Sequence, residues 1–257
     1  MPIRPCVEIA VTGSRFPLQD MLHHRRIGVA TMNPMVARAI SIEARATRLE
    51  GILRIPRSPC GLVLFVHGSG RLSPRNTHVA QRLSAHGLAT LLFDLLTAQE
   101  EEIDAMTAQL RFDIALLTER LVAATGWAVR QADLKDLSIG YFGASTGAAA
   151  ALAAAARLPQ VRAVVSRGGR PDLAGTALVA VRAPTLLIVG GHDPHVLALN
   201  HAALAQLGCA AELEVVPGAT HLFVEPGALE RVATLASGWF EHHLPASSPT
   251  PDADHPG

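Results

Sequence analysis

Aromatic side chains are scarce: 4% of 257 residues, with two tryptophans and one tyrosine. With 49% hydrophobic residues the chain can still bury a sizeable core, which must be aliphatic and rich in Leu, Val, Ile and Ala. An excess of charge is also lacking, since 22 Lys+Arg balance 22 Asp+Glu. That argues against a nucleic-acid or membrane-surface protein driven by bulk charge, which needs a basic surplus. Lysine is almost absent, Lys135 being the only one; arginine in its place reads as coding bias rather than function. The cysteines Cys6, Cys60 and Cys209 are odd in number and lack C-x-x-C spacing. Neither a disulfide framework nor a zinc site is suggested, and a reducing compartment fits. Between Arg4 and Arg15 the apolar stretch is broken by Glu8, so no secretion signal is expected. The uncharged run around Ala148–Ala156 is mostly alanine, too short and too weakly apolar for a membrane span. The expectation is a cytoplasmic protein with a small-molecule partner and neither nucleic acid nor membrane; oligomeric state is left open.

What is present is a rhythm of strands and helices. Residues 1–31 show no periodicity and read as an N-terminal extension or a mis-assigned start, and 245–257 is a Pro/Ser/Asp/Gly tail expected to be disordered. Between them, 32–244 reads as a single domain. Ala39–Ala46 and Arg48–Ile55 alternate apolar and polar residues, as half-buried strands of an antiparallel hairpin do. Leu62–Val66, Thr90–Asp94, Leu137–Phe142, Val161–Ser166, Thr185–Val189 and Ala211–Val216 are short apolar runs, the mark of strands in a covered sheet. Helical spacing occupies Asn76–His86, the stretch after the acidic Gln99–Asp104 through Val122, Ser145–Leu158, Pro194–Leu207 and Pro226–His243. The acidic stretch suits a solvated helix entrance better than a metal site. Alternating strands and helices predict an α/β fold: a mostly parallel doubly wound sheet preceded by an antiparallel hairpin. Ligands of such sheets bind at the carboxyl ends of the strands.

The chemistry-bearing stretch is Gly143-Ala144-Ser145-Thr146-Gly147, a G-x-S-x-G between a strand and a helix. Small residues flank the serine because a strand must turn into a helix there with little room; the alternative is a buried turn that only packs. A serine hydroxyl needs a base, and the base an orienting acid. Asp193 follows the strand Thr185–Val189 and His221 follows Ala211–Val216, so both fall at the crevice side of the sheet. Asp193 also reads as the N-cap of the helix opened by Pro194, and it can serve in both capacities; His221 has the alternative of an ordinary loop residue. His192, His195 and His201 surround Asp193 but straddle a helix start, so no metal is expected, and no cofactor. The oxyanion donors expected are the backbone N–H of Thr146 and that of Ser69, in His67-Gly68-Ser69-Gly70. Neither a P-loop nor a dinucleotide-binding fingerprint follows that glycine-rich loop.

Together, His67-Gly68-Ser69-Gly70, Gly143-x-Ser145-x-Gly147, Asp193 in Gly-Gly-His-Asp-Pro and His221 in Gly-Ala-Thr-His-Leu-Phe resemble the α/β-hydrolase superfamily. Within it, residues 32–244 are most similar to the dienelactone-hydrolase-like branch. The resemblance implies Ser145, Asp193 and His221 as a catalytic triad, with Ser69 and Thr146 as oxyanion donors. The founding dienelactone hydrolases use a cysteine nucleophile, so serine here favours a serine esterase over a dienelactone substrate.

Only the 18 residues Arg167–Pro184 separate two successive strands where many hydrolases of this superfamily insert a cap, so no large cap domain is expected. Arg71, Arg75, Arg167 and Arg170 fall on segments at the crevice rim. They read equally as anion-recognition residues or as ordinary surface arginines of an Arg-rich chain. The expected activity is hydrolysis of a small ester, lactone or thioester, optionally anionic, through an acyl-enzyme on Ser145. The alternatives are acyl transfer or perhydrolysis by the same triad, or a non-catalytic ligand-binding protein of the same fold.

Overall fold

The computed structural model describes residues 36–67 and 73–244. The expected extension at 1–31, the tail at 245–257, and Ser69 and Arg71 lie outside the described residues. The chain begins with β1 (Val36–Ala44) and β2 (Thr47–Ile55), paired antiparallel with Val36 opposite Ile55. In β1, Ile40, Ile42 and Ala44 are buried and their neighbours exposed, which is the alternation legible in the sequence. The parallel strands follow: β3 (Gly61–His67), β4 (Leu88–Phe93), β5 (Ile139–Ala144), β6 (Val161–Arg167), β7 (Thr185–Gly190) and β8 (Ala211–Val216). β3, β4, β5 and β7 are buried at every position, because helices cover both faces.

The sheet order is β1-β2-β4-β3-β5-β6-β7-β8, with β2 antiparallel to β4 and every pair from β4 to β8 parallel. From β3 the chain winds outward to β4, then returns to place β5 on the other side of β3. That reversal is a topological switch point and opens a crevice beyond the carboxyl ends of β3 and β5. On one face, α1 (Pro74–Ala85) and α6 (Ala228–His243) cover Phe65, Phe142, Val165 and Ile188. On the other, α3 (Ile114–Ala128) and α4 (Thr146–Ala155) cover Leu62, Leu64, Tyr141 and Val164, joined by Ala203 of α5 (Pro194–Leu204). Between β6 and β7 the chain makes only 3-10 turns over Pro171–Ala180, broken at Gly175, so no cap domain is inserted between these two strands. No described helix is long and apolar enough to cross a membrane.

The region after β4 departs from the sequence reading. The helical periodicity following the acidic stretch is split between α2 (Ala98–Thr107) and α3. Ala108 takes a left-handed φ of 55° and closes α2; Asp113 then starts α3, its carboxylate accepting the Leu116 N–H at 2.9 Å. Nor is the acidic stretch merely solvated. Asp104 is buried and accepts from the Arg111 guanidinium at 2.6 Å. Glu100 closes a capping box with Thr97 and accepts from both terminal nitrogens of Arg120, at 2.7 and 2.6 Å. The counter-charges come from later in the chain, which is why spacing within the acidic run did not reveal them.

The Arg120 guanidinium holds the Glu100 carboxyl down to about 2, from an ordinary 4.5. A depressed folded-state pKa stabilises the fold above the ordinary value and loses that contribution as pH falls from 4.5 towards 2. Glu100→Gln is therefore expected to cost about 1–3 kcal/mol at neutral pH, because Arg120 is left buried without its partner. It is also expected to flatten the acid dependence of stability in that window. Denaturant titrations at neutral pH and at pH 3 check both; an unchanged acid dependence would sink the assignment.

Candidate active site

Between β5 and α4 the turn is made by Ser145 alone. Its backbone has φ 53° and ψ −125°, a region that costs a non-glycine residue about 1–3 kcal/mol and persists only where the surroundings enforce it. The enforcement is visible. A Cβ on Gly143 would lie 2.5 Å from the Ala148 Cα, and one on Gly147 would lie 2.2 Å from the Val66 carbonyl oxygen. α4 is thus pressed onto β5 and β3 with no space for a side chain on either flank of the serine. The Ser145 N–H donates to the Arg167 carbonyl at 3.3 Å, and its own carbonyl accepts from the N–H groups of Ala148 and Arg170 at 3.1 and 3.0 Å. Of residues 139–155, Ser145 alone escapes burial. Thr146, the first residue of α4, has an N–H that no preceding helical carbonyl can accept, and it lies beside the serine.

Asp193 is the fourth residue of the Gly190–Asp193 turn, where β7 hands over to α5. One of its carboxylate oxygens accepts the Val196 N–H at 3.4 Å, a long N-cap bond; the other lies 2.7 Å from His221 Nδ1. The carboxylate is mostly buried and the imidazole is 40% exposed. Main-chain bonds hold the two loops together: Gly191 N–H to the Val216 carbonyl and His192 N–H to the Ala219 carbonyl, both at 2.9 Å. Beneath His221, the buried Phe223 anchors its loop with φ 54°, and the Thr220 hydroxyl donates to Glu225 at 2.6 Å. That bond, more than any nearby cation, holds the Glu225 carboxyl below its ordinary value.

With the carboxylate as acceptor, Nδ1 of His221 carries the proton and Nε2 presents a lone pair. The ring packs against Gly168, where a Cβ would come 3.6 Å from its Cε1. Gly168 adjoins Arg167, whose carbonyl holds the Ser145 N–H, so the serine backbone and the imidazole are both referred to the start of one segment. No hydrogen bond from Ser145 Oγ to the ring is present among the described contacts. Tightening of such a bond on substrate binding is common for a serine–histidine pair.

The four arginines separate. Arg71 lies outside the described residues. Arg170 spends its guanidinium on Asp172, in two parallel bonds of 2.9 and 2.8 Å, so its charge is met within its own turn. Arg167 is buried at the end of β6, and Arg75 is partly buried in the first turn of α1. Burial, and secondarily the charge of Arg75, push the Arg167 guanidinium down to about 10.

A family model described as the Dienelactone hydrolase family matches residues 49–241. The chain belongs to that family. A crystal structure of dienelactone hydrolase from Anabaena variabilis is similar at 57% identity, covering 82% of this chain and 99% of that one, with a TM-score of 0.79. A dienelactone hydrolase-like promiscuous phosphotriesterase from metagenomic libraries shares the fold at 20% identity and a TM-score of 0.68, over 82% of this chain and 99% of its own. Among curated proteins, two from Mycobacterium tuberculosis named "Putative phosphoribosyl transferase" are 52% identical over 235 residues, or 90% of this chain and 52% of theirs. The chain therefore spans about half the length of those relatives.

Asn200, which sequence reading passed over, packs behind the candidate site. It is fully buried in α5, and its Nδ2 donates to the Gly169 carbonyl at 3.0 Å and to the Val196 carbonyl at 2.8 Å. It thereby ties the segment behind Ser145 to the helix that Asp193 caps. An asparagine in mid-helix carries no pattern that would have marked it.

The close approach at the elbow sets the first test of the site. Gly147→Ala is expected to destabilise the protein by about 3 kcal/mol or more, since backbone and not a movable side chain is in the way. Gly126→Ala in α3, where the nearest atom is the end of Arg130 at 3.4 Å, is expected to be neutral or to stabilise by up to about 1 kcal/mol. Thermal unfolding of both variants checks the contrast; equal effects would mean that α4 does not press on β3.

Proposed function

We propose that this chain is a serine hydrolase that cleaves a small ester, lactone or thioester through an acyl-enzyme on Ser145. The observation that carries the reading is the strained, accessible Ser145 at the switch-point crevice, with Asp193 and His221 joined at 2.7 Å on neighbouring strand ends. His221 Nε2 takes the serine proton as the hydroxyl attacks the acyl carbon, and Asp193 holds the ring and balances the imidazolium. The Thr146 N–H, with Ser69 as its partner, stabilises the oxyanion. The protonated imidazole then delivers its proton to the leaving alcohol or thiol, and water activated by the same nitrogen releases the acid.

Membership of the dienelactone hydrolase family and the likeness to the Anabaena variabilis enzyme support ester-type chemistry. Serine at the nucleophile position favours an esterase. The phosphoribosyl transferase name belongs to relatives twice as long, and the shared region presents residues suited to breaking acyl–oxygen bonds rather than a ribose–phosphate bond. The 3-10 turns in place of a cap leave a crevice open to water and to small substrates.

A fluorophosphonate probe is expected to label Ser145 stoichiometrically in the folded wild type and not in Ser145→Ala. His221→Ala is expected to lower kcat on p-nitrophenyl esters by roughly ten-thousandfold or more. An unlabelled but folded wild type would favour a ligand-binding role for the same crevice. Labelling that survives in His221→Ala would point to a different base.

A further inference from the structure

Among the described residues, the buried guanidinium of Arg167 has no counter-charge acting on it. Arg167 is 8% exposed, and its Nε and Nη1 are enclosed with no hydrogen-bond partner. Its place in the sheet gives its direction. His67, Ala144, Arg167 and Ile188 lie in one register row across β3, β5, β6 and β7, and side chains in such a row share a face. The residues two positions earlier, Phe65, Phe142 and Val165, belong to the core beneath α1 and α6, so Arg167 projects to that side at the crevice end of the sheet.

The element it meets there is equally unsatisfied. Arg75, in the first turn of α1, is the charge that acts on Arg167, and its Nε is also buried without a partner. α1 has twelve residues, no acidic residue in its first turn, and an N-cap, Ser73, whose side chain makes no capping bond. The Ser73 hydroxyl, a donor suited to an anion, is buried and unpartnered. Two guanidinium groups and an uncapped helix amino end thus converge where each opposes the other. Leaving such groups unpaired is costly unless a ligand supplies the missing charge.

We propose that Arg167, Arg75 and the amino end of α1 form a subsite for a phosphate monoester group carried by the substrate of Ser145. A carboxylate brings a single negative charge and would leave one guanidinium unbalanced. A phosphate monoester brings about −1.5 to −2 near neutral pH, and its three terminal oxygens can accept from two guanidinium forks and from helix N–H groups together. The phosphate is recognised and stays intact; the bond that breaks is the acyl–oxygen or acyl–sulfur bond at Ser145, with water entering and the alcohol or thiol leaving. The subsite lies beside the nucleophile, since the Arg167 carbonyl itself holds the Ser145 N–H. The substrate is accordingly a short molecule with ester and phosphate close together. This inference rests on the hydrolase reading above for its catalytic half and on Arg167, Arg75 and the amino end of α1 for its binding half.

The test compares three esters of one acyl group whose alcohol ends in a hydroxyl, a carboxylate or a phosphate. The wild type is expected to favour the phosphate ester over the neutral one by about tenfold or more in kcat/KM, with the carboxylate between them. In Arg167→Met that preference should collapse, chiefly through KM; methionine fills the buried space without a charge. Arg75→Gln, at the helix end, should reduce the same ratio and guards against a folding defect at position 167. Separately, millimolar inorganic phosphate should raise the Tm of Ser145→Ala and not that of Ser145→Ala/Arg167→Met. Equal rates on all three esters, with no phosphate-induced Tm shift, overturn the subsite. A carboxylate preference overturns the assignment of a dianion. A Tm shift that persists in a protein whose Ser145 resists a neutral fluorophosphonate supports the subsite and overturns the hydrolase reading instead.

Discussion

The arrangement of this crevice depends on how closely α4 can approach the sheet. With glycine at 143 and 147, the helix backbone rests directly on β5 and β3, and the only route from strand to helix passes through a positive φ at Ser145. Every other candidate group is referred to that point. The Arg167 carbonyl and the Arg170 N–H clasp the serine backbone from β6 and the segment after it. Gly168, between them, is thin enough for the imidazole of His221 to lie against it. Widening the gap between α4 and the sheet would relax the serine and, with the same movement, displace the groups that position its partners.

The acid and the base are organised differently from the nucleophile. No strained residue holds Asp193; it sits at a helix start where an aspartate is at ease, dividing its two oxygens between the helix and the imidazole. Main-chain bonds between the β7 and β8 loops make the pair a single unit, and Asn200 links that unit to the segment behind the serine. Of the three candidate residues Ser145 alone has a positive φ; on the base side the left-handed turn falls at Phe223, two residues past His221.

Much of this was legible in the sequence because its signals are local. The hairpin declared itself by alternation, β8 by its bounding residues at Ala211 and Val216, and the short β6–β7 connection by simple counting. What stayed hidden depends on distant partners. Arg167 and Arg170 looked alike, two arginines around a glycine pair, yet one is neutralised by Asp172 and the other is driven inward by strand parity. The acidic run read as a solvated entrance because Arg111 and Arg120 reach Asp104 and Glu100 only after the chain has turned at Ala108 and Asp113. Helical periodicity ran through that turn unbroken, since Leu110 of the intervening 3-10 turn and Ile114 of α3 pack against the same core.

The composition of α4 carries a consequence for how the elbow is sustained. Its ten residues are a threonine, a glycine, one leucine and seven alanines, and all of them are buried. Alanine and glycine surrender almost no rotamer freedom on burial, so freezing this helix against the sheet takes little side-chain entropy from the unfolded chain. Nor has it long side chains that could repack and let the helix drift. The helix that follows the contorted Ser145 thus takes little side-chain entropy to immobilise and is hard to deform, a rigid strut whose position is set by backbone contact.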